Sequence, residues 1–305
     1  MVAEDLEDAD RVMRLAFGTH LDLLEPLDFL GDADFVRSRF RANPDAAFAA
    51  EADGQLIGTV FVANWGSVGF LGPLTITPQW WDRGVAQLLL EPVMQRFADW
   101  GTRHAGLYTF ASSSKHHSLY QKFGFWPRSL RPVMSRKVQP QAVDDVQAFS
   151  TLDVSPRGAA LQACAELTGM IYEGLDVGQE IRAVQKQRLG DTLIISDAEG
   201  VAGFAVCHCG PGSEAGSGRC YIKFAAVRSG VQAEARLGML LRACDDFAAD
   251  NRASRLVAGV SAGRSRAYRE MLALGFRADQ VGVSMHNPDA VGYDTENVFI
   301  LDDWR

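Results

Sequence analysis

Along residues 4–17 the apolar positions Leu6, Ala9, Val12, Met13, Ala16 and Phe17 recur at helical intervals, and residues 34–41 repeat the pattern briefly. From residue 46 the period changes. Residues 46–52 and 55–64 are apolar or alternating runs separated by Asp53-Gly54, the turn pair that a tight hairpin needs. Residues 68–77 predict a third strand, ended by Pro78. Helical spacing returns over 84–101 through Val85, Leu88, Leu89, Val93, Phe97 and Trp100, with Pro92 expected to bend or locally break one long helix. A short strand over 107–111, a helix over 114–123 stopped by Gly124, and closing strands over 125–138 complete the pattern.

Residues 139–155 show little periodicity and contain Pro140, Asp144 and Asp145, with Pro156 just beyond, so they read as a linker. The second half of the chain is a weaker copy of the first. Glu199-Gly200 before Val201-Ala202-Gly203 echoes Asp53-Gly54 before Gln55-Leu56-Ile57-Gly58; Phe247-Ala248 echoes Phe97-Ala98. Met271-Leu272-Ala273-Leu274-Gly275-Phe276 echoes Tyr120-Gln121-Lys122-Phe123-Gly124-Phe125. An ordered set of echoes at a nearly constant offset is what duplication of one domain leaves behind. The expected architecture is a mixed α/β chain of two similar domains, residues 1–138 and 156–305, each a mostly antiparallel mixed sheet flanked by helices.

Composition narrows the function. With 305 residues, 47% hydrophobic and 22% charged, the chain has material for two globular cores. A net charge of -8 argues against affinity built on phosphate backbones, so nucleic acid is not an expected partner; a cationic substrate would suit such a surface. Cys164, Cys207, Cys209, Cys220 and Cys244 are odd in number and confined to the second half, which predicts free thiols in a reducing cytoplasm. Cys207-His208-Cys209 lacks a second ligand pair at zinc spacing, and no metal is expected. No run is long and apolar enough to span a bilayer, and the acidic start is unlike a signal peptide.

The chemistry concentrates where the strand Leu74-Thr75-Ile76 feeds Trp81-Asp82-Arg83-Gly84-Val85-Ala86-Gln87 and then a helix. A helix start offers unpaired N–H groups to an anion, Gly84 and Ala86 permit close approach, and Arg83 adds a cation. By itself such a small-x-small pair equally fits close helix packing or half of a dinucleotide fingerprint. The hairpin run before the loop and Leu119-Tyr120-Gln121-Lys122-Phe123-Gly124-Phe125 after it give the first half a resemblance to the GNAT superfamily of N-acetyltransferases. The family loop has the form Q/R-x-x-G-x-G/A, and Trp81 departs from it at the first position.

The resemblance implies an enzyme that moves an acetyl group from acetyl-CoA to a primary amine of a small molecule or peptide through a ternary complex. It places the donor along Leu74 and Ile76, on a strand splayed from its neighbour, and its pyrophosphate on residues 81–87. The Ile76 N–H would polarise the thioester carbonyl, and Tyr120 would protonate the leaving thiolate. Ser114 would stand where relatives carry an asparagine that touches CoA. No general base is evident: Glu25, Glu51, His116 and His117 are the candidates, with His117, three residues before Tyr120, preferred.

In the second half Ala235 aligns with Gly84, Leu237 with Ala86 and Met271 with Tyr120, which predicts a domain that no longer binds CoA and instead supports the first, shapes its acceptor cleft or mediates dimerisation. Residues 299–305 are expected to dock rather than hang free. A non-catalytic CoA-binding or scaffold protein, and an aminoacyl-tRNA-dependent acyltransferase, are the alternatives.

Overall fold

The computed structural model describes residues 1–143 and 145–305; Asp144, inside the predicted linker, lies outside the described residues. The first half runs α1 (Leu6–His20), α2 (Val36–Ala42), β1 (Ala47–Ala52), β2 (Gln55–Trp65), β3 (Val68–Ile76), α3 (Val85–Asp99), β4 (His104–Phe110), α4 (Ser114–Gln121) and β5 (Trp126–Lys137). Asp53 and Gly54 both take positive φ, +51° and +73°, as a two-residue hairpin turn requires. Pro92 does not break α3. The carbonyl that it leaves without a donor belongs to Leu88, on the exposed side of the helix.

The predicted linker is partly structured. β6 (Val146–Ala148) pairs with the next sheet strand, and α5 (Val154–Ile171) begins before Pro156, which sits in the first turn where its missing N–H has no intrahelical partner to lose. The chain continues through α6 (Gly178–Gln187), β7 (Gly190–Asp197), β8 (Gly200–Gly210), β9 (Gly216–Val227), α7 (Ala233–Asp250), β10 (Arg255–Gly259), α8 (Ser265–Ala273), β11 (Arg277–Asn287) and the short β12 (Ile300–Leu301). From β7 to β11 the order repeats that from β1 to β5.

The halves share one sheet, in the order β1-β2-β3-β4-β11-β5-β10-β9-β8-β7-β6, with β12 on β9. Among the described residues only β3–β4 and β9–β10 are parallel pairs. The last strand of each half has changed sides: β11 lies between β4 and β5, and β5 lies against β10. The core is shared accordingly. Trp65 and Phe70 from the first half pack with Phe224 and Trp304 from the second, and the Trp65 and Phe224 ring centroids are 5.1 Å apart.

A buried ionic cluster fastens the segment after β11. Arg264 Nε lies 2.8 Å from Asp294 Oδ1 and its Nη2 2.6 Å from Asp302 Oδ1, while Arg131 of β5 pairs with both carboxylates. Tyr293 donates to Asp302 at 2.7 Å and Tyr221 to Asp303 at 2.9 Å. Trp304, stacked under Arg131 at 4.0 Å, lies across Gly106 of β4, where a Cβ would meet the indole at 2.1 Å. The closing segment is therefore docked, by charge as well as by apolar contact.

Candidate active site

β3 and β4 run together only from Val68↔His104 to Leu71↔Leu107; β3 then continues against β2 alone. Thr77 donates to Ile57 on β2, and strand alternation turns the main-chain groups of Leu74 and Ile76 away from β2, toward the gap. The Ile76 carbonyl is taken by the indole N–H of Trp81 at 2.8 Å, so the residue that departs from the family loop ties that loop to the strand.

Gly84 caps α3 with φ +82°, a left-handed conformation that a side chain would strain, and nothing lies within 4 Å of a Cβ placed there. The Gly84 carbonyl accepts from Gln87 and Leu88, at 3.0 and 3.3 Å, so the Val85 and Ala86 N–H groups precede the helix's own bonds. Gly84, Val85, Ala86 and Gln87 line a cleft of about 450 Å³ that continues past Leu74, Ile76, Trp81 and Asp82. An open loop, unpaired amides and a splayed strand edge fit a diphosphate carried on an extended amide-containing arm.

Some expected residues are placed otherwise. Arg83 stacks over Trp80 at 5.1 Å and does not line the cleft; Lys115 in the first turn of α4 and Lys122 at its C-terminal cap are the cations that do. Ser113, not Ser114, is the N-cap of α4 and faces the cleft. His117 does not line it, whereas His116 does, four residues before Tyr120 with ring centroids 6.5 Å apart. Glu25 and Glu51 are exposed and do not line it either. His20 of α1 also faces the cleft, 5.4 Å from His116 and 4.7 Å from Phe110. A histidine at the end of a helix carries no chemical signal until tertiary structure gives it neighbours, and the same holds for the two lysines.

Burial, reinforced by His20 and Lys115, pushes His116 down to about 4, so its ring is neutral at pH 7. Burial pushes the Tyr120 phenol well above its ordinary value, which keeps it protonated. Tyr120 lines a second cavity of about 170 Å³, and His116 lines both. The two spaces share Phe17, Leu74, Phe110 and His116, so they meet beside the phenol.

Residues 11–125 match the Acetyltransferase (GNAT) family. The chain carries a GNAT acetyltransferase domain. It is accordingly an acyltransferase enzyme. Structures of similar fold include a protein of Pyrococcus horikoshii assigned as an acetyltransferase, 14% identical with a TM-score of 0.67 over 98% of this chain and 91% of that one. A GCN5-related N-acetyltransferase of Sphaerobacter thermophilus is 17% identical, with a TM-score of 0.59 over 94% and 93% of the two chains. That coverage extends well beyond the matched GNAT domain, into the second half. No curated protein matches the chain. Among the described residues no helix is long and apolar enough to cross a membrane, and no group of three or more His, Cys, Asp or Glu is placed to hold a metal ion.

Proposed function

We propose that the GNAT domain, residues 1–138, transfers the acetyl group of acetyl-CoA to a primary amine by direct attack in a ternary complex. The observation that carries this reading is the junction of the two cavities at Leu74, Phe110 and His116, beside Tyr120 and at the open edge of β3. The free amides at Val85 and Ala86 hold the pyrophosphate, with Lys115 and Lys122 supplying positive charge. The Ile76 N–H, turned into the gap, donates to the carbonyl oxygen as it gains charge. Tyr120 gives its proton to sulfur as the C–S bond breaks. A phenol raised by burial is a weak acid, but a thiolate expelled into the same desolvated site is raised by the same cause.

The second half, residues 156–305, binds no CoA in this reading, for two reasons. Its edge corresponding to Leu74 and Ile76 is filled by the chain itself: Leu301 pairs with Ala225, Ile300 with Ala226, and Val227 donates to Phe299 at 3.2 Å. Its loop is shorter, and Gln232 with φ -94° caps α7 where Gly84 caps α3; Met271 stands at the place of Tyr120. What it contributes is the acceptor side, since Gln280, Trp304 and Arg305 line the second cavity.

Calorimetry with acetyl-CoA is expected to give one site per chain. Saturating acetyl-CoA, at 100 times its Kd, should stabilise the protein by about 2.7 kcal/mol, and Gly84→Glu should abolish the effect. A Gly84→Glu protein stabilised like wild type would remove the loop from the donor site.

A further inference from the structure

Resting on that reading, we propose that the acceptor is a small arylalkylamine: one aromatic ring bearing a primary amino group on a stem of one or two carbons. The cavity that meets the donor cleft measures about 170 Å³. An apolar protein cavity of about 150 Å³ accommodates benzene, so one ring and a short stem fill this one. Its walls are suited to a ring. Phe17 and Phe29 stack on each other at 5.1 Å on one side, with Phe35 beside them, and Tyr108 and Trp304 face in from the sheet and the closing segment.

His116 marks the end where the cavity meets the donor cleft, while Gln280 and Arg305 line the cavity from the second half. At the cleft end His116 and Tyr120 lie together, and a short stem brings the nitrogen to that point. Among the described residues no aspartate or glutamate side chain lines the cavity, so a second ammonium would be buried without a side-chain carboxylate partner, which disfavours polyamines and aminoglycosides. A peptide is too large. Leu21, which lines the cavity, is 44% exposed, and Leu24 and Leu27 are exposed close by, which gives an apolar acceptor an apolar rim to enter over.

In the transfer the nitrogen lone pair forms the bond to the acetyl carbon and the C–S bond breaks. The thiolate takes the Tyr120 proton, and the proton shed by nitrogen returns to the phenol through water. The products are the N-acetylated amine and CoA thiol.

The test is thiol release and product mass with acetyl-CoA and phenethylamine, benzylamine, spermidine, kanamycin or an alanine-initiated hexapeptide. The kcat/KM for phenethylamine should exceed those for spermidine and the hexapeptide by about a hundredfold. Leu21→Trp, a substitution at a half-exposed position that narrows the mouth, should raise KM for phenethylamine about tenfold and leave KM for acetyl-CoA unchanged. Better turnover of spermidine, kanamycin or peptide, or equal KM for phenethylamine in Leu21→Trp, overturns the assignment. So does acetyl-CoA binding with no turnover of either aryl amine. If acetyl-CoA fails to stabilise the wild-type protein and no amine is acetylated, the acetyltransferase reading itself fails.

Discussion

Tyr120 is buried to 6% exposure on a helix face that a sequence alone would assign to the core. It is both: the ring belongs to the same apolar core as Leu89, Phe125 and Met285, and the same side chain lines the second cavity. Tyr120→Phe keeps the packing and removes the proton, so acetyl-CoA binding should stay within about twofold while kcat falls at least about tenfold. Stopped-flow thiol release and calorimetry on the same preparation separate the two, and unchanged turnover would exclude the phenol as the acid. Gly84 and Ala86 were legible because they are backbone requirements written in residue type. His20 and Lys122 were not, nor was the choice of His116 over the preferred His117, because which face of a helix meets a cleft depends on strands far away in the chain.

The hairpin, the long helix and the strand before the loop follow from periodicity and turn chemistry, within a few residues of the observed bounds. Partners do not. Nothing in residues 277–287 says that they pair with β4 rather than with a strand of their own half, because alternation fixes the buried face and not the neighbour. The exchange places Trp304 against β4, and Gly106 is the residue that admits it. Gly106→Ala would drive a methyl into the indole; overpacking of this kind costs ~1–3 kcal/mol. A lower melting temperature together with a raised acceptor KM is expected. Both unchanged would mean that the ring does not rest there.

Across the whole molecule, charge buried at the crossing of the halves makes stability depend on pH. Burial alone would raise Asp294 and Glu214, but Arg131 and Arg264 around the first, and Arg39 and Lys223 around the second, hold both below their ordinary values of 3.8 and 4.5. Their contribution is complete above those values and is lost as pH falls below them. His104, His208 and His286 are pushed down by burial, to about 4, 3 and 3, from 6.5. Each is neutral when folded, so stability also declines as pH falls from 6.5. Urea midpoints should therefore fall steadily once the pH drops below 6.5 and keep falling below about 4.5 as the two carboxylates protonate; a constant midpoint down to pH 4 would refute this. Asp302→Ala, which leaves Arg131 and Arg264 short of a carboxylate, should cost ~3–5 kcal/mol at pH 7.

The strand exchange also sets a timetable for synthesis. β4 ends at Phe110, and the residue that pairs with it, Gly282, is added to the chain 172 residues later. At about 5–20 residues per second that interval lasts roughly 10–35 s, during which β4 has no partner on that side. A nascent chain in this condition offers a strand edge to any other nascent chain nearby, so chaperone occupancy on the ribosome should peak before the residues of β11 emerge and fall once they do.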